Sequence, residues 1–434
     1  MKGGAMKLNP GAQWIGVAAM VMLGAGVGLR ASDSSQAAAA PKLAGMWEGT
    51  VTILTGPANN QVQVEVPFPF EIVADGQGYK ASFLNGSQRI SSTSSSIDGE
   101  KVVFTFAQYN TTLSTTLKDG VLSGEYVRPK GRGAPLPFRA AKATTAASAV
   151  KAPSINGVWI TQARSNKGEQ AWRFIVDQKG AQLTATILRV DGDTGTLYGS
   201  FKDGKFVLGH FSGARPLLVE VTPNGDGTLN ISQNKGAPLL AAREAEAKAK
   251  SIGTPTDPAA HTTMKDPNEP FKFAFPDHVT GQIVSNTDPR FRGKVVLVNI
   301  SGSWCPNCHD ETPFMVNLYK KYRSRGFEVV QLSFEEDDQQ PGFVRLKGFN
   351  KNYGIEWTVL VPGNPDQLNE KVPQANNLNA FPTSFFVGRD GRVRAVHAGF
   401  PSPGSGEFYK EAEKEVTALV EKLLAERAPT TSSW

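Results

Sequence analysis

The sequence predicts a multidomain protein in which two all-β domains, each a sandwich or a small barrel, precede one α/β domain. Three observations carry this reading. Residues 43–140 and 155–240 repeat one pattern, each opening on Gly-x-Trp (Gly45-Met46-Trp47 and Gly157-Val158-Trp159) and continuing in short alternating runs separated by Gly, Asn and Asp. From about residue 265 the rhythm changes to buried apolar runs alternating with helical periodicity. The length of 434 residues, with 44 Gly and 28 Pro, calls for several cores and many turns.

Taken in order, the chain opens with Lys2 and Lys7 ahead of an apolar stretch at 14–29 (WIGVAAMVMLGAGVGL), then small residues at 36–41 (QAAAAP). Residues 1–39 therefore read as a signal peptide or a retained N-terminal anchor, which places the rest outside the cytoplasm, in the periplasm or otherwise exported. In the two β domains Trp47 and Trp159 are expected as core residues of a first strand. An Ala/Thr/Ser linker at 140–154 separates these domains, and 241–264 is expected as a helical, Pro-rich linker, because LLAAREAEAKAK (239–250) has helix-forming composition.

In the last domain, 265–427, KVVLVNIS (294–301) and FEVVQLSF (327–334) read as buried strands, with a helix between them. A helix at 342–354, a short strand at 357–361 and a hairpin turning at Asp390-Gly391 follow. In the closing helix Phe408, Ala412, Val416, Leu419, Val420 and Leu423 share a face. Residues 428–434 are a tail. The net charge of +6 is spread over the whole chain and gives no case for nucleic acid, and a membrane is expected only through the N-terminus.

The two cysteines, Cys305 and Cys308, stand in WCPNCHDETP (304–313), after a strand and at the start of a helix. Backbone N–H groups at a helix N-terminus favour an anion, so Cys305 is the expected nucleophile and Cys308, one turn on, the resolving partner. Glu311 lies one turn beyond Cys308 and could accept its proton. Asp310 and Glu311 disfavour nearby thiolates, which leans the pair toward a reductant. With no third cysteine, electrons must pass to or from a separate protein.

The stretch VVLVNISGSWCPNCHDETPF resembles the active-site region of the thioredoxin superfamily, in particular its exported TlpA/ResA-like thiol-disulfide oxidoreductases. Asn299 stands at the family's strand asparagine, Glu311 at its helix glutamate and Pro313 at its helix proline, while Ala380-Phe381-Pro382-Thr383 resembles the cis-proline loop. Ile300-Ser301-Gly302-Ser303 replaces a more aromatic stretch of the family. The resemblance covers about residues 265–427 and implies a thioredoxin-like fold. It also implies Asn299 and Pro313 in structural support and substrate contact at Trp304, Phe381, Pro382 and Thr383, with a cis Phe381–Pro382 bond. The β repeats lie outside it.

Other readings of the motif are weaker. C-x-x-C-H is also a c-type haem attachment pattern, but a strand leads in and a helix leads out; His309 is expected as an exposed first-turn residue. Zinc needs about four ligands, and a disulfide closing so short a loop constrains the unfolded chain little. A peroxiredoxin would carry Thr or Ser where Gly302 stands. The acidic run Glu335-Glu336-Asp337-Asp338 reads as a solvated loop. The expected function is thus an exported thiol-disulfide oxidoreductase acting on protein thiols and disulfides, with no metal and no cofactor beyond a redox-active Cys305–Cys308 disulfide. The alternative is an envelope protein whose β domains bind a ligand or partner and carry the main function.

Overall fold

A computed structural model describes residues 43–76, 78–144, 150–339 and 342–427. The expected signal or anchor at 1–39, the middle of the linker at 140–154 and the tail at 428–434 lie outside the described residues. No helix among the described residues is long and apolar enough to cross a membrane.

The first β unit is one antiparallel sheet of nine strands running from Gly45 to Lys142. It curls around a single core containing Trp47, Phe68, Phe70, Phe83, Phe104 and Phe138. Its two ends are drawn together near Ser92 and Ser95: Ser92 N–H donates to the Ala81 carbonyl at 2.7 Å and Tyr79 N–H to Ser95 Oγ at 3.3 Å. The second unit closes fully, because the strand Ala171–Lys179 pairs both with Gly157–Gln162 and with Gln182–Arg189. That makes it a barrel with its own core. Of the two architectures left open by the sequence, neither unit is a sandwich, since each core is enclosed by one sheet. In both, the indole of the opening tryptophan donates to a carbonyl four residues earlier, Trp47 to Leu43 and Trp159 to Ile155, each at 2.8 Å.

One expected helix start is overturned. Leu239–Ala242, read as helical by composition, is a strand pairing with Leu229–Gln233 and Gly157–Gln162. The barrel needs a strand there to satisfy backbone groups on both sides, and this requirement overrides helix propensity. Beyond it the expected linker holds two short helices, Glu244–Ala247 and Pro258–His261.

The α/β unit is built on a five-stranded sheet in the order Thr358–Leu360, Phe327–Ser333, Val295–Ser301, Thr383–Val387, Val393–Ala398; the first three are parallel and the last two antiparallel. Val295–Ser301 is buried along its whole length, which explains why it is apolar except at Asn299 and Ser301. Val295 and Leu297 face a core shared with the helices Pro306–Tyr322, Val344–Tyr353 and Glu407–Ala425, while Val296, Val298 and Ile300 face the other side. In the closing helix the expected face is seated except at Phe408, over whose ring Arg173 of the barrel lies at 5.5 Å.

The three units pack together. Phe211, from the barrel, sits in the aromatic core of the first sheet with ring centroids 5.0 Å from Phe68, Phe83 and Tyr126. Gly348, in the helix Val344–Tyr353, lies so close to the Ala107 carbonyl of the first unit that a Cβ would collide with backbone.

Two outcomes follow from this packing. Trp159→Ala should destabilise the chain by about 3–5 kcal/mol, measured by urea unfolding. Gly348→Leu should push the first β unit away from the α/β unit, giving a larger radius of gyration in small-angle scattering with an unchanged far-UV circular dichroism spectrum.

Candidate active site

Cys305 caps the helix Pro306–Tyr322: its sulfur accepts from Cys308 N–H at 3.3 Å. Pro306 follows in the first turn, where a missing N–H costs nothing. The Cys305 thiol in turn donates to the Phe381 carbonyl at 3.4 Å, and the Phe381–Pro382 bond is cis. Strand, helix start and Pro382 loop thus converge on one sulfur. Both cysteines are free thiols and both are only 1% exposed. Cys305, the expected nucleophile, is thus as deeply buried as its resolving partner Cys308.

Burial pushes the Cys308 thiol well above its ordinary pKa, helped by its contact with Cys305 and by the charge of Glu311. Glu311 is itself buried, which raises its carboxyl to about 7. Asn299 Nδ2 donates to one of its oxygens at 2.9 Å and Ser384 Oγ to the other at 3.2 Å, which holds the carboxyl in place and restrains the upward shift. Asn299 also donates to Ser384 Oγ at 3.1 Å. Pro313 lies inside the helix, and Thr312 Oγ1 donates to the Cys308 carbonyl at 2.6 Å.

Trp304 is half-buried, its indole donating to the Phe334 carbonyl at 2.8 Å and its ring set edge-on to Phe381 at 5.1 Å. Phe381 is half-buried beside it and Pro382 is buried. Thr383 is not presented to a ligand: its hydroxyl donates to the Ala380 carbonyl at 2.8 Å and the residue is fully buried, because it begins the interior strand Thr383–Val387. Among the expected contact residues, Trp304, Phe381 and Pro382 come together and the Thr383 side chain does not join them.

Two expectations are corrected. His309 is buried, not exposed: its Nε2 donates to the Ser303 carbonyl and its Nδ1 accepts from Tyr353 Oη, both at 2.9 Å. With Tyr109 of the first β unit stacked on it at 4.1 Å, burial lowers its pKa to about 3 and keeps it neutral. Neither ring nitrogen is left for an axial haem bond. The acidic run is likewise no solvated loop. Glu335 is buried and accepts from Ser303 N–H at 2.8 Å and Ser303 Oγ at 2.5 Å, while Arg345, 1% exposed, reaches Ser303 Oγ, Glu336 and Asp338 at 2.9–3.1 Å. The arginine pairs with Glu335, Glu336 and Asp338, leaving Asp337 exposed, and ties the run to the turn before Trp304.

Sequence reasoning missed the residues that the β units contribute. Asn85, at the end of the strand Gly78–Asn85, donates to Asp310 Oδ1 at 2.9 Å and accepts from Thr196 N–H at 2.8 Å. Asn307 Nδ2 donates to the Asp191 carbonyl at 2.6 Å, and Ser402 N–H to Asp193 at 2.8 Å. Burial holds the carboxyls of Asp310 and Asp193 above the usual range. Nothing in the local pattern around Asn85 or Asp193 marks them. Arg345 left a trace, as a charge four residues before Phe349 on an otherwise apolar helix face.

Similarity to known proteins is found in the C-terminal part. Residues 262–414 match the Redoxin family. The thiol-disulfide oxidoreductase ResA of Bacillus anthracis is 32% identical over 102 residues, 24% of this chain and 53% of that protein. ResA of Bacillus subtilis (strain 168) is 31% identical over 108 residues, 25% and 55%. The chain thus spans about half the length of these relatives. A solved thiol:disulfide interchange protein of Chlorobium tepidum TLS is 24% identical, with a TM-score of 0.29, over 38% of this chain and all of that one. From residue 262 to 414 the chain therefore carries a Redoxin domain of thioredoxin-like fold, similar to the ResA thiol-disulfide oxidoreductases.

Proposed function

We propose that this protein is an exported thiol-disulfide oxidoreductase, acting mainly as a reductant through Cys305 and Cys308. One observation carries the proposal: a helix-capping Cys305 whose sulfur meets Cys308 N–H on one side and the Phe381 carbonyl beside cis-Pro382 on the other. In the reducing direction Cys305 attacks a substrate disulfide and forms a mixed disulfide. Cys308 then displaces the substrate, leaving Cys305–Cys308 oxidised. The raised Cys308 thiol favours this direction, since a dithiol whose thiolates are poorly stabilised gives up its electrons more readily.

Cys308 must lose its proton to attack. Glu311, fixed by Asn299 and Ser384 and poised near neutrality, is the base for that proton. Trp304, Phe381 and Pro382 form the ledge on which the substrate segment rests. The electrons reside in two sulfurs with no further cofactor, and a separate thiol protein renews them. Export is supported by the positively flanked apolar stretch at 14–29, with anchoring at the inner membrane if that stretch is retained.

In the full-length protein, Cys308→Ser should accumulate a mixed disulfide with a disulfide substrate, seen on non-reducing gels, and Cys305→Ser should form none. If Cys305→Ser reduces insulin as fast as the parent, the reading is wrong.

Glu311→Gln should slow release from the mixed disulfide roughly 10²-fold. The parent's release rate should rise with pH through about 7 as Glu311 ionises, and the variant should lose that rise. The same carboxyl links stability to pH. Its folded pKa of about 7 lies above the ordinary 4.5, so the stability it contributes is full below about pH 4.5 and is lost as pH rises through 7. On the order of 3 kcal/mol is involved. Denaturant titrations of Glu311→Gln should show that part of the slope missing.

A further inference from the structure

Two cavities walled by the β units border the residues that flank the dithiol, and arginines line both. The larger is a cleft of about 840 Å³ beside Trp304, walled by the first β unit, the barrel loop around Arg215 and the acidic run. The smaller, about 270 Å³, lies beside Pro306 and Asn307, and Arg215 borders both. The loop between them is firmly held: Phe211 is plugged into the first core, and Tyr126 Oη donates to the Gly213 carbonyl at 2.9 Å.

In the larger cleft Glu336 is paired with Arg132 and Arg345, and Asp338 with Arg345. Among the described residues Lys130 and Arg215 have no carboxylate partner, and Arg215 stands over the Trp304 ring at 5.9 Å. Asp337 is the one lining carboxylate outside an ion pair. In the smaller cavity Arg189 has a buried Nε without an acceptor, although its Nη2 donates to Gln233 at 2.9 Å. The two carboxyls lining that cavity, Asp193 and Asp310, are held toward their neutral forms by burial. A buried, incompletely bonded guanidinium is costly unless an anion completes it.

We propose that these cavities select disulfides flanked by carboxylates, with Arg215 and Arg189 as the specificity-determining residues. This rests on the oxidoreductase reading and names its substrate class. One carboxylate of the substrate lies against Arg215 and Lys130, the other against Arg189, and the sulfur between them lies over Trp304 and Pro306. The Cys305 thiolate attacks one substrate sulfur; a bond forms between them, the substrate S–S bond breaks, and the first leaving thiolate takes a proton from water. Cys308, after passing its proton to the Glu311 carboxylate, attacks the Cys305 sulfur and expels the second thiolate, which takes that proton back from Glu311 by way of water. One substrate disulfide becomes two thiols, and the dithiol becomes the Cys305–Cys308 disulfide. The carboxylates can belong to a small disulfide or to acidic residues flanking a disulfide in an extended peptide.

The experiment is a single turnover of the pre-reduced full-length protein with two disulfides that share the same S–CH2–CH2 arms and carry opposite charge, dithiodipropionate and cystamine. Each rate is divided by that of dithiothreitol with the same compound, which removes their intrinsic difference. A preference for dithiodipropionate of at least 10-fold is expected, falling at least 5-fold in Arg215→Ala and in Arg189→Gln, while alkylation of Cys305 by neutral iodoacetamide stays unchanged. A preference no larger than that of dithiothreitol, or one that survives both substitutions, overturns the proposal.

Peptide disulfides flanked by Glu or by Lys identify the source: a Glu preference lost in Arg215→Ala assigns the cleft to polypeptide segments, and activity with dithiodipropionate alone assigns it to small disulfides. If no disulfide oxidises the dithiol although iodoacetamide labels Cys305, the oxidoreductase reading fails, and suberate, the unreactive carbon analogue, tests the cleft alone. Protection of Cys305 from iodoacetamide by suberate, abolished in Arg215→Ala, then supports the carboxylate site, and absence of protection overturns it.

Discussion

Asn85 is the point on which the assembly turns. One side-chain amide, buried at the end of a strand in the first β unit, donates to Asp310 in the helix that carries the dithiol and accepts from Thr196 in the barrel. An amide buried with both ends bonded fixes the relative positions of three units at once, because an unpaired end would cost about 1–3 kcal/mol. The stacking of Tyr109 on His309 and the bond from Asn307 to the Asp191 carbonyl hold the same arrangement from either side. The covering of Cys305 follows from these contacts.

That covering changes the electrostatics of the site. Charges withdrawn from water must be neutralised or paired, and both solutions are present. His309 is kept neutral by burial and by the charge of Arg345, against the pull of the Ser303 carbonyl, and Asp310 and Asp193 are pushed toward their protonated forms. Glu335 and Arg345, in contrast, remain together as a buried pair completed by Ser303. The result is a turn before Trp304 braced from below and a Glu311 poised near neutrality behind Cys308. The sulfurs thus sit in an environment set by three units, of which only one carries the motif.

Much of the α/β unit was legible in the chain because its signals are local. The apolar run at 294–301 becomes Val295–Ser301, the run at 327–334 becomes Phe327–Ser333, and the amphipathic stretch near the end becomes Glu407–Ala425. Each owes its burial to its own periodicity. The opening tryptophans of the β repeats were legible for the same reason. The strand Leu239–Ala242 was not, since its identity depends on two partners, one of them, Gly157–Gln162, at the far end of the barrel's sequence. His309 and Glu335 were misread because their partners, Tyr353, Ser303 and Arg345, are brought in from other elements, and exposure cannot be judged without knowing what lies across.

By itself, the sequence determined the two-cysteine motif, its place between a strand and a helix, the proline loop that meets it, and the repeated β pattern ahead of it, because each depends on residues close in the chain. Only the tertiary structure decided that the β units lie over the dithiol, that both sulfurs are buried, and that Asn85, Arg189 and Arg215 border the approach. Those facts arise from contacts between residues far apart in the chain, and such contacts leave no period or spacing in a single sequence.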